Sequence, residues 1–150
     1  MKPFTLEDVI SHEKTLQFEK FVHDDALNLG LIINEYVKDN FDLPVGIRVV
    51  HHGLLVFHFL MNERKREATW LVRKENTTIK SGHSSLYVAL NVANNDEYAS
   101  WIKDDSHAIC GGGFPIIENG EVTGAICVSG LEHNQDHQVI VHALATYLKK

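Results

Sequence analysis

The chain has 150 residues, 44% of them hydrophobic, and a formal net charge of -6 with acids and bases interspersed. That amounts to one ordinary domain, spanning residues 1–150, with enough apolar material for a core. It offers no basic face for nucleic acid and no electrostatic docking to an anionic membrane. No apolar run approaches the ~20 residues of a membrane span, so no membrane insertion is expected. Met1-Lys2-Pro3 opens on an amphipathic segment rather than an apolar leader, and the two cysteines point to reduced thiols in the cytoplasm.

Thr5 followed by Glu7 and Asp8 predicts the capped, acidic start of a short helix containing Val9, Ile10 and Glu13. Leu16 to Phe21 alternates apolar and polar residues as a short strand does, with helix continuation as the alternative. Asp24 caps a long helix carrying Ala26, Leu29, Gly30, Ile33, Tyr36 and Val37, which Pro44 stops by about Phe41. Val45 to His51 and Leu54 to Met61 form a hairpin through His52-Gly53. The second of these strands is apolar on both faces, as a central strand would be.

Asn62 opens a helix to Asn76 that places Trp70, Arg73, Lys74 and Thr77 on one face. A short helix over Ser84 to Ala93 and one more helical turn at Glu97 to Lys103 follow. Asn119-Gly120 between alternating segments is a strong hairpin signal, and the last helix runs from about Asn134 to Leu148. The expected class is α+β: a five-stranded antiparallel sheet flanked by helices, in the order αβαββααββα.

Gly111, Gly112 and Gly113 need a reason, because glycine in a strand costs roughly 0.5–1 kcal/mol against alanine. Close packing of a helix on the sheet, or a bulge, is one reading. Close approach of the backbone to a flat ligand is the other. No phosphate-loop or dinucleotide fingerprint is present. A two-residue loop at Asn119-Gly120 puts Cys127 opposite Gly112 and Cys110 opposite Ser129, on one face; the pair reads as small core residues before it reads as a redox couple.

His133 and His137 stand four apart, but His133 is expected to precede the helix and there is no H-E-x-x-H, so no metal site is assigned. The functional reading has His133, Asp136 and His137 rimming a pocket, with an imidazole as axial ligand or proton carrier. Across from them, Arg73 and Lys74 would hold a carboxylate while Trp70 stacks on a ring, and His83 with Ser84 does something similar. His12, His23, His51, His52, His58, His107 and His142 receive no role. No nucleophile–base pair can be named, so a catalytic assignment is not made.

GGGFPI at 111–116, GAICVSGLEHNQDH at 124–137, WLVRKENT at 70–77 and GHSS at 82–85 together resemble a small uncharacterised branch of the haem-degrading-domain superfamily. That superfamily includes GlcG-like proteins, the haem-binding sensor protein of Streptomyces and the C-terminal domain of PduO-type adenosyltransferases. The resemblance implies the five-stranded sheet, homo-oligomers, and in some relatives haem binding. One fungal member resembles an adaptor of the tail-anchored-protein chaperone pathway. Where the branch carries a Pro-Gly-rich loop before the tryptophan helix, this chain has Phe59 to Arg64.

The expectation is therefore an oligomeric small-molecule-binding protein with a planar, anionic ligand, haem or another tetrapyrrole among the candidates. Its site would comprise Trp70, Arg73, Lys74, His83, Ser84, the Gly111-Gly112-Gly113-Phe114-Pro115 stretch, His133, Asp136 and His137. The alternative is an oligomeric adaptor without catalytic activity.

Overall fold

A computed structural model describes residues 2–64 and 68–150. Helix α1 (Leu6–Thr15) starts where Thr5 accepts the Asp8 N–H and Asp8 returns a bond to the Thr5 N–H, a reciprocal cap. Helix α2 (His23–Asn40) begins one residue before the expected cap: Val22 is the capping position, and its N–H is taken by Asp25. Strands β1 (Gly46–His51) and β2 (Leu54–Leu60) form the first hairpin. Helices α3 (Ala68–Ser81), α4 (Ser85–Asn91) and α5 (Asp96–Ser100) follow. The second hairpin is β3 (Gly113–Glu118) and β4 (Glu121–Ser129), and α6 (His133–Leu148) completes the chain.

Among the described residues the sheet has four antiparallel strands in the order β2-β1-β4-β3, not the five expected. Leu16 to Phe21 supplies one parallel bridge, Phe18 to Glu118. Two backbone bonds make it: the Phe18 N–H donates to the Ile117 carbonyl, and the Asn119 N–H donates to the Phe18 carbonyl. The segment cannot extend the ladder. Leu16 is still tied to the helix behind it through the His12 carbonyl, and Phe18 meets β3 only at its last residue. The alternation of Leu16 and Phe18 is real, but it reflects side chains dropping into the core, where both are buried with Phe21.

Two layers of helix enclose the sheet. Helices α2 and α6 cover the face bearing Ile47, Val49, Phe114, Ile116, Ile126 and Val128, and most of the core lies there. Helix α3 covers the opposite face, where Leu71 packs on Val50, Ala125 and Cys127. Strand β2 is an edge strand rather than the central one its composition suggested. Its apolar Leu54, Leu55 and Phe59 are exposed, while Phe57 turns inward against Gly30 of α2.

The expected helix start at Asn62 is also corrected. Asn62-Glu63 is a turn with Glu63 at φ 75°, and the part of that expectation covering residues 65–67 lies outside the described residues. In the second hairpin, Asn119 (φ 50°) and Gly120 (φ 84°) form the two-residue turn as expected. A bulge between Ile116 and Ile117 then shifts the register by one. Cys127 faces Gly113 rather than Gly112, and Cys110 lies before β3. Both cysteines are free thiols.

Candidate functional site

The glycine run is packed against protein. Its first N–H, from Gly111, donates to His133 Nδ1 at 3.2 Å, and the Gly113 N–H donates to the Ser85 hydroxyl at 2.8 Å. A side chain at Gly111 would strike the His133 carbonyl, and one at Gly113 would strike Thr78 and the Lys74 carbonyl. Gly112, at φ 122°, lies directly over the Lys74 ammonium and the Val128 carbonyl. The three glycines therefore let α3, α4 and α6 converge on the start of β3. Phe114 and Pro115 continue the run into the core and are buried.

At that convergence sits a buried ion pair. Lys74 and Asp136 are each 2% exposed. The Lys74 ammonium donates to Asp136 Oδ2 at 3.0 Å and to the Val128 carbonyl at 2.9 Å. The other Asp136 oxygen accepts the Leu131 N–H at 3.0 Å, anchoring the start of α6. Burial pushes the Asp136 carboxyl above its ordinary pKa, and the Lys74 charge pulls against that shift. Two of the three ammonium protons are thus spent inside the protein, and one is left.

Beside the pair is a hollow of about 270 Å³, whose wall includes Trp70, Lys74, Cys110, His133, Asp136 and Arg64. Trp70 is half-exposed there, with the Arg73 guanidinium 4.1 Å from its ring centre. Arg73 itself is turned to the neighbouring loop, its Nε donating to the His107 carbonyl at 2.9 Å. Arg64 Nε is buried and has no hydrogen-bond partner among the described residues. His133 accepts the Gly111 N–H at Nδ1, and its Nε2 lies 3.2 Å from the Asn134 side-chain amide and 3.5 Å from a Glu132 carboxylate oxygen. Burial raises the Cys110 thiol above its usual pKa, so the thiol stays protonated. The wall thus carries the N–H donors of Arg64 and Lys74.

The structure brings Trp70, Lys74, Gly112, His133 and Asp136 together and separates three other expected residues from them. Residue His133 is the first of α6 rather than preceding it, so it and His137 are both helical. They face different surroundings all the same. His137 is fully buried, with Nε2 3.1 Å from His12 Nδ1 and its ring against Phe4 and Phe114. Burial, helped by the nearby His12 and His133, depresses its pKa to about 3. His83 and Ser84 belong to a second cluster. There the Glu13 carboxylate pairs with His83 Nδ1 at 2.7 Å and accepts the Ser84 N–H at 3.0 Å, while the Ser84 hydroxyl caps α4. The sequence signal for Glu13 was present: an acid four residues after buried Val9 sits on the buried stripe of α1. Arg64 and Cys110 carry no comparable signal, because their place in the wall depends on tertiary packing.

Comparison with known proteins agrees with this architecture. A family model described as "Haem degrading protein HbpS-like" matches residues 21–145. The UPF0303 protein of Psychromonas ingrahamii is 32% identical over 151 residues, covering 97% of this chain and 94% of the relative. The crystal structure of the Ybr137w protein superposes with a TM-score of 0.87 at 26% identity, covering 99% of this chain and 90% of that one. The PduOC:heme complex matches with a TM-score of 0.71 at 19% identity, covering 83% of this chain and 93% of that one.

Proposed function

The chain belongs to the HbpS-like family of haem-degrading proteins, and from that premise we propose that it is a small-molecule-binding protein whose ligand is planar and anionic, of the haem or tetrapyrrole class. The binding place is the hollow beside Lys74 and Asp136. One observation carries this reading: Arg64 Nε, without a partner among the described residues, and the Lys74 ammonium lie in one wall with the half-exposed Trp70 indole. A flat ring would stack on the indole while its carboxylates take the donors. The donors address the ligand's acid groups rather than a central metal. The solution of a similar fold as a heme complex supports this choice of ligand class.

At about 270 Å³ the hollow lies below the ~300–1,000 Å³ of pockets that enclose a drug-sized ligand. A second subunit would supply the opposite wall. The test is titration of the full chain with hemin and with metal-free protoporphyrin, read by the Soret band. Saturable shifts with both are expected, and Trp70→Ala should weaken binding about tenfold, the scale of one aromatic stacking contact. Absence of a saturable shift with either ring overturns the reading.

A second reading, an oligomeric adaptor without a ligand, draws on a different surface. Leu31, Phe57 and Phe59 line an apolar groove between α2 and β2, and Leu54 and Leu55 extend the exposed apolar edge. Under that reading, partner capture from a native lysate is lost on Phe59→Asp and unaffected by Trp70→Ala.

A further inference from the structure

Strands β1 and β3 both pair antiparallel with β4, so they run parallel to each other and end at the same end of the sheet. His51 closes β1, His52 begins its turn, and Glu118 closes β3. Between the two strands stands Gly124 of β4, opposite His51 on one side and Ile116 on the other. A side chain at Gly124 would collide with the Val50 carbonyl and crowd His51. With none there, the two hairpin tips close on one another. One donor atom each from His51, His52 and Glu118 lies within 4.8 Å of the other two. His51 Nε2 is 2.9 Å from Glu118 Oε2.

An ordinary ion pair accounts for His51 and Glu118 but not for the rest of the arrangement. The His52 imidazole completes a triangle that a pair does not need. The residue is held at φ 50° by the turn, and its backbone N–H donates to the Thr123 carbonyl at 2.8 Å. The second Glu118 oxygen accepts the Phe21 N–H at 2.7 Å, which fixes the carboxylate as an outer hydrogen bond fixes a metal ligand. The cluster opens onto a surface hollow of about 460 Å³, where His23 and Asp24 join His51 and His52 in the wall. The His23 ring centre is 6.3 Å from that of His51. Entry from solvent and a further donor are therefore both at hand.

We propose that His51, His52 and Glu118 bind one borderline divalent transition-metal ion of the zinc type, with a coordination position open towards His23 and Asp24. Two imidazoles and one carboxylate are the ligand set of an open zinc site, and the softness of imidazole selects against calcium and magnesium. At zinc–ligand distances of about 2.0–2.1 Å, tetrahedral neighbours stand roughly 3.4 Å apart, so small side-chain rotations suffice. Glu118 and Asp24 provide the negative charge that a dication requires. The site lies at the opposite end of the sheet from the Trp70 hollow and is independent of it.

The test uses the chelator-treated full chain, Zn²⁺ by calorimetry and Co²⁺ by visible absorption. One Zn²⁺ per chain is expected, with cobalt ligand-field bands that added Zn²⁺ abolishes. His52→Asn keeps a residue that tolerates the turn, and Glu118→Gln keeps an acceptor for the Phe21 N–H. Each should remain folded by circular dichroism and bind zinc at least about tenfold more weakly, whereas His58→Ala on β2 binds as the wild type does. The proposal is overturned by a wild type that binds no stoichiometric zinc, or by either His52→Asn or Glu118→Gln binding it undiminished.

Discussion

The two ends of the sheet handle polar groups in opposite ways. Where β3 begins and β4 ends, Lys74 and Asp136 are buried together and spend most of their hydrogen-bonding capacity on each other and on the backbone of Leu131 and Val128. Three glycines bring the surrounding helices close enough to seal them in. Where the hairpin tips meet, His51, His52 and Glu118 gather at a hollow open to water. The first arrangement packs a buried charge pair between the helices and the sheet. The second runs from the buried His51 through the half-buried Glu118 to the exposed His52. Charge at the packed end should therefore dominate stability, and charge at the hairpin end should matter for what it binds.

The sharpest way to break that contrast is Asp136→Ala. It leaves the buried Lys74 ammonium without its counter-charge and removes the acceptor of the Leu131 N–H, so a loss of about 3–5 kcal/mol is expected in denaturant unfolding. The paired change Lys74→Met with Asp136→Leu should recover much of that loss, because no charge is then left buried. A single-variant loss below about 1 kcal/mol would mean that water reaches the pair and that the two ends differ less than their burial indicates.

The packed end should also be the more sensitive to acid. His137 is held neutral, with its pKa depressed from 6.5 to about 3. The unfolded chain takes up a proton below pH 6.5 that the folded chain refuses. This contribution is therefore intact above pH 6.5 and is lost as pH falls from 6.5 towards 3. The wild type should lose up to about 1.4 kcal/mol more per pH unit across that window than His137→Gln does. Parallel stability profiles from pH 7 to 4 would show that His137 protonates without unfolding its surroundings.

What was legible in the sequence follows the same division. Local signals read well: the Thr5 cap, the Asn119-Gly120 turn and most of the α2 stripe are set by neighbours within four residues. Strand β2 read as central because its composition is apolar on both faces; composition does not record that β1 is its sole neighbour in the sheet. Leu16 and Phe18 read as strand because alternate burial produces the same pattern with or without a ladder. The Lys74 helix and the Asp136 segment were both singled out, but their ion pair joins residues 62 apart, and no local periodicity links them. His51, His52 and Glu118 were passed over for the same reason. Two are adjacent in sequence and the third lies in another hairpin, so the triangle exists only once the strand order is known.

Glycines at the two ends give the finest comparison, since Gly112 and Gly120 both sit at positive φ, 122° and 84°. Backbone strain disfavours alanine at both, by about 1–2 kcal/mol near the left-handed region at Gly120 and by more at Gly112, whose φ lies well beyond it. The surroundings differ. A methyl group at Gly112 would press on the Val128 carbonyl and the Lys74 ammonium, and backbone cannot move aside as a side-chain tip can; at Gly120 nothing lies within 4 Å. Gly112→Ala should therefore cost about 2–4 kcal/mol and disturb the Lys74–Asp136 pair as well, while Gly120→Ala should cost about 1 kcal/mol and leave the rest of the hairpin in place. Thermal melts of the two variants side by side measure the difference. If the two losses are equal, close packing is not what the glycine run provides, and the run must be explained by a ligand's approach instead.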